Sequence, residues 1–127
     1  IAALRSDDDF HEPCARLIDS CAGRDDALAA LDLTLYEVAN VAIMRTGSAA
    51  MAEMLTGMLR RAATGAIVSW NPEMLAAAAA LAAARGLTVY DAAYVATAQG
   101  LGWTLVSTDI RDLVEPGFAI SPDQVVT

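Results

Sequence analysis

Lysine is absent from this chain, whose eight basic residues are all arginine. A receiver-type phosphotransfer domain uses a lysine late in the chain beside its acids, so its absence argues against that class. Histidine occurs once, at His11, and cysteine twice, at Cys14 and Cys21. That leaves too few nitrogen and sulfur ligands for a zinc site, and a lone His11 near the start of a helix gives no credible Ser-His-Asp triad. Seven residues apart on a predicted helix, the two thiols would stand about 10 Å from each other, too far for a disulfide. They read as structural thiols. No glycine-rich phosphate loop is present, so nucleoside triphosphate chemistry has no support.

Long apolar runs are missing too. A membrane span needs roughly 18–20 consecutive apolar residues, and the alanine-rich stretch Ala76–Ala84 is cut off by Arg85. No charged-then-apolar leader is visible, and the expectation is a cytoplasmic protein with no membrane contact. Basic charge is scarce: the formal net charge is −8. That opposes broad adhesion to nucleic acid through a basic face. A carboxylate cluster that holds cations would itself add negative charge, so a nuclease stays open. Aromatic residues make up 6% of the chain against 56% hydrophobic residues, which means a core of Ala, Leu and Val. A chain of 127 residues suits one domain.

The patterns that are present alternate, without linker, internal repeat or low-complexity tail. Phe10–Ala22 has helical spacing, with Pro13 tolerable in its first turn. Leu28–Leu33 reads as a strand, and Leu35–Arg45 as a helix stopped by Gly47. Ala49–Ala63 is a helix with Met51, Met54, Leu55, Met58 and Leu59 along one side. Those methionines could pack a core, associate with a second copy or offer an adaptable patch to a partner. Ala66–Trp70 reads as a strand. Asn71-Pro72-Glu73 opens a helix by mechanism: Asn caps, Pro takes the first position and Glu favours the positive end. That helix stops at Gly86. Another spans about Asp91 to Gln99 and stops at Gly100. Trp103–Ser107 and Phe118–Ile120 are the remaining strands. Strands alternating with helices imply parallel crossovers, and the fold class is an α/β three-layer sandwich with a central, mostly parallel sheet.

In such a sheet ligands sit beyond the carboxyl ends of the strands. Three acids fall at or near strand-to-helix switches: Glu37 in "LTLYEVAN", Asp91 in "LTVYDAAY" and Asp109 in "TLVSTD". Each has a capping explanation as well, since Thr34–Glu37 matches a capping box and Asp91 and Asp109 are good N-cap residues. Capping alone does not require the three to share one edge. Oxygen-only ligands suit Mg²⁺ or Mn²⁺, and carboxylates holding two such ions serve in-line attack of water on a phosphodiester.

At "LTLYEVANVA" and "LTVYDAAYVATAQGLGWTLVSTD", with the order Glu, Asp, Asp, the sequence resembles the PIN-domain family, and most of all its VapC-type toxin branch. The resemblance covers essentially all 127 residues. It implies a Mg²⁺- or Mn²⁺-dependent endoribonuclease, the toxin of a toxin–antitoxin pair, homodimeric and inhibited by a cognate antitoxin protein. It also implies that Glu37, Asp91 and Asp109 are the catalytic, metal-binding acids. Ser107 fits the small hydroxyl two before the last acid, and Asn40, one turn after Glu37, is a supporting polar residue. The family's first acid ends a first strand that precedes a helix beginning much like "IAALRSDDDFHEP", and on this reading the single PIN-like domain of residues 1–127 lacks that strand. The adjacent Asp7-Asp8-Asp9 reads as a solvated face. The alternative reading keeps the fold without the chemistry: a catalytically incomplete PIN-like module that binds RNA or protein.

Overall fold

The computed structural model describes residues 8–25 and 27–125, and these divide into two units, residues 18–69 and residues 8–17 with 70–125. Asp7, one of the acidic triplet read as a solvated face, lies outside the described residues. Helix α1, His11–Cys21, belongs to both units along its length. Its entry is fixed by Asp8, whose carboxylate accepts from the Phe10 amide at 2.9 Å. That gives one member of the acidic triplet a local structural task. Both cysteines are free, Cys21 buried and Cys14 half-buried. Burial pushes the Cys14 thiol above its ordinary pKa, with the nearby Asp8 charge adding to the rise.

In the first unit, strand β1 (Ala29–Leu31) pairs in parallel with β2 (Ala66–Val68), Ala29 opposite Ala66 and Leu31 opposite Val68. Parallel neighbours require a crossover, here formed by α2 (Asp32–Thr46) and α3 (Ala49–Ala62). The turn between these helices is dictated locally. Gly47 ends α2 in the left-handed conformation, and Ser48 caps α3 by accepting from the Met51 amide at 3.1 Å. The helices pack on each other through small and branched residues, with Val38, Ala42 and Ala52 buried. The strand expected at Leu28–Leu33 is shorter than the sequence pattern indicates. Helix α2 begins at Asp32, whose carboxylate accepts from the Leu33 amide at 2.8 Å. A carboxylate at the positive end of the helix dipole favours this early start.

The second unit is built on a hairpin of α4 (Pro72–Arg85) and α5 (Val89–Leu101). Asn71 caps α4 as anticipated, accepting from the Met74 amide at 2.8 Å, and Gly86 ends it. Ala78, Ala82 and Ala92 form a core cluster in which side chains of a single methyl group let the two helices lie close. A second cluster gathers Val95, Leu113 and Ala119, with Leu105 and Phe118 packed against it. Arg85 lies over the Phe118 ring at 5.2 Å. The stop expected at Gly100 falls at Gly102 instead, where φ is +69°. Gly102 and Trp103 both donate their amides back to α5 carbonyls, Trp103 to Ala98 at 2.8 Å. This arrangement consumes the backbone at which the Trp103–Ser107 strand was expected to start. What remains is a single parallel bridge between Val106 and Ile120. Every strand pairing among the described residues is parallel, and the fold class is α/β. Among the described residues no helix is long and apolar enough to cross a membrane.

Candidate active site

Asp91 sits in the first turn of α5, half-buried, immediately before the fully buried Ala92. It is not the helix cap. Thr88 holds that role, its hydroxyl accepting from the Asp91 amide at 3.1 Å. The capping explanation for the Asp91 side chain therefore fails, because the cap position is already filled. Its carboxylate makes no hydrogen bond or ion pair among the described residues. A half-buried carboxylate without a donor is an arrangement that a cation would complete.

Asp109 is held from both sides. Its amide donates to the Ser107 hydroxyl at 3.0 Å, and its Oδ1 accepts from the Asp112 amide at 3.0 Å. It thereby starts the single π-helical turn Ile110–Val114. The capping expectation is met here, yet a carboxylate has about four lone-pair sites, and one backbone amide leaves most of them available. Ser107 orients the acid through its backbone. Asp91 and Asp109 lie in the same unit, each four residues before a member of one core cluster, Val95 and Leu113. The packing of those two side chains anchors the turns that carry the acids.

Glu37 and Asn40 belong to the other unit, both exposed on α2. Because α2 starts at Asp32, Glu37 is its sixth residue, in the second turn and not the first. The acid at the strand-to-helix junction is Asp32, inside the span expected as strand, because β1 ends at Leu31; the signal in the sequence is an acid directly after the apolar run "ALAAL". Within either unit, the described residues do not gather three or more His, Cys, Asp or Glu side chains into one group. Arg111 is bonded to Asp112, with Nε–Oδ1 at 2.9 Å and Nη2–Oδ2 at 3.1 Å. The hydrogen bond raises the Arg111 pKa and holds the Asp112 carboxyl below the usual carboxylate range.

The donors at the candidate positions are carboxylate and hydroxyl oxygens, which suit a hard divalent cation and not zinc. Comparison with curated protein sequences found no match. The family model of the PIN domain matches residues 1–117, and the chain therefore belongs to the PIN-domain family, whose members are typically metal-dependent nucleases that bind RNA.

Proposed function

We propose that this protein is a Mg²⁺- or Mn²⁺-dependent endoribonuclease, the toxin component of a toxin–antitoxin pair acting in the cytoplasm. The observation that carries the reading is the half-buried Asp91 carboxylate, positioned by its Thr88-bonded amide and without a donor among the described residues. Asp91 and Asp109, in the second unit, are the principal metal-binding acids, and the resemblance adds Glu37 on α2 as a further candidate. A bound divalent cation lowers the pKa of an attacking water and offsets charge on the departing oxygen. The chain's part is orientation. Thr88 sets the backbone of Asp91, Ser107 sets that of Asp109, and Asn40 lies one turn beyond Glu37. Exposed apolar side chains on α2 and α3, namely Ile43, Met44, Met54 and Met58, support contacts with an antitoxin or a second copy of the chain.

The test is cleavage of a structured RNA in Mg²⁺ and in Mn²⁺ by the wild type and by Asp91→Asn. The substitution keeps the shape and the helical backbone but removes the charge, and cleavage should fall by about a hundredfold or more. Equal cleavage by both proteins would end the nuclease reading. If neither ion supports cleavage while RNA or a protein partner still binds, the chain is a PIN-like binding module with an incomplete site. That second reading draws on the described residues, which within either unit bring no three His, Cys, Asp or Glu side chains into one group.

A further inference from the structure

The pentapeptide Leu-Thr-X-Tyr-acid occurs twice, at residues 33–37 and 87–91. In both copies the tyrosine before the acid is turned to solvent, Tyr36 at 78% exposure and Tyr90 at 66%. In both copies the residue after the acid is buried, Val38 and Ala92. The two helices begin at different points relative to the pattern, so the shared exposure does not follow from a shared cap. An aromatic ring left in water beside a candidate catalytic acid forgoes the burial that a ring of its size normally gains.

The protein's charge makes such rings useful. With a net charge of −8, RNA meets an unfavourable field over most of the surface. Of the described arginines, Arg16 lies 3.5 Å from Glu12, Arg111 is bonded to Asp112 and Arg85 lies over Phe118, while Arg45, Arg60 and Arg61 are exposed on α2 and α3. Affinity that phosphate contacts do not supply can come from the faces of unpaired bases, which stack on exposed aromatic side chains with little sequence preference. We infer that Tyr90 and Tyr36 are base-stacking residues, each holding an unpaired nucleobase next to its own acid. This rests on the nuclease reading above and adds two residues that contact the bases of the RNA.

The experiment measures binding without turnover. A fluorescein-labelled decameric oligouridylate and an abasic ribose-phosphate decamer are titrated in EDTA with wild type, Tyr90→Phe and Tyr90→Ala, and the Tyr36 pair is treated in the same way. Wild type and Tyr90→Phe should bind the oligouridylate about tenfold more tightly than Tyr90→Ala does. All three should bind the abasic decamer equally, because the ring has no base to meet. Equal affinity of wild type and Tyr90→Ala for oligouridylate overturns the inference, as does the same loss on the abasic decamer, which would report a structural effect. Cleavage abolished by Asp91→Asn alongside unchanged binding by Tyr90→Ala would remove the stacking role and leave the nuclease intact. Equal cleavage by wild type and Asp91→Asn would remove the nuclease reading whatever the tyrosines do.

Discussion

Asp109 has an observed task and a proposed one, and substitutions can separate them. Its Oδ1 caps the π-helical turn through the Asp112 amide, while its charge is what a cation would require. Asn retains an acceptor oxygen and loses the charge, so Asp109→Asn should melt within a few tenths of a kcal/mol of wild type yet lose RNA cleavage. Asp109→Ala removes the acceptor as well and should cost about 1 kcal/mol of stability. Urea unfolding of the three proteins checks both statements. Two equally stable variants would show that the cap contributes nothing, and full activity in Asp109→Asn would remove the residue from the site. Asp91 differs in kind, because Thr88 already caps its helix and its own side chain has no such structural duty. This difference was only half legible in the sequence. "TLVSTD" shows an acid after a strand, and "LTVYD" shows a hydroxyl three residues before an acid. Which of the two acids caps its own helix depends on where each helix starts, and that start is set by packing.

At the scale of the element, α5 shows how a stop signal can be read two residues early. Gly100 is helical, with open space where a Cβ would stand, whereas Gly102 adopts φ +69°. Gly100→Ala should therefore stabilise the protein by up to about 1 kcal/mol, by lowering the entropy of the unfolded chain. Gly102→Ala should destabilise it by about 1 kcal/mol or more, because an L side chain is strained in that conformation. Thermal melts of the two variants should move in opposite directions. A Gly102→Ala protein as stable as wild type would contradict the observed helix end. Asn71 and Gly86 were legible because their signals are local: a side-chain acceptor before proline, and a glycine directly after the last helical residue. Gly100 misled because the true end lies in the amides of Gly102 and Trp103, which fold back onto the helix.

At the scale of the whole molecule, a cation held by the proposed acids would link binding to folding. A ligand held only by the native state stabilises it by mass action, about 2.7 kcal/mol at a hundredfold excess over Kd. For a chain of this size that raises Tm by several degrees. Millimolar Mg²⁺ or Mn²⁺ should thus raise the wild-type melting temperature, and should raise that of Asp91→Asn much less. A wild-type melt that is unmoved by either ion would count against a metal-binding acid set. This measurement tests the site without depending on the choice of RNA, since it needs no substrate.

Much of this protein follows from local chemistry alone. Asn71-Pro72 and Ser48 start helices wherever they stand, Gly47 and Gly86 end them, and the alternation of short apolar runs with helical periodicity specifies an α/β chain with parallel strands. Tertiary structure decided the lengths and the starting points. β1 gives way at Leu31 because pairing with Val68 ends there and Asp32 turns directly into α2, while Trp103 is drawn into the end of α5 and not into a strand. The pentapeptide shared by residues 33–37 and 87–91 makes the reason visible. Identical local preferences place Thr88 at a helix cap and Thr34 inside a helix, because the strand running into α2 starts that helix earlier than the local sequence would.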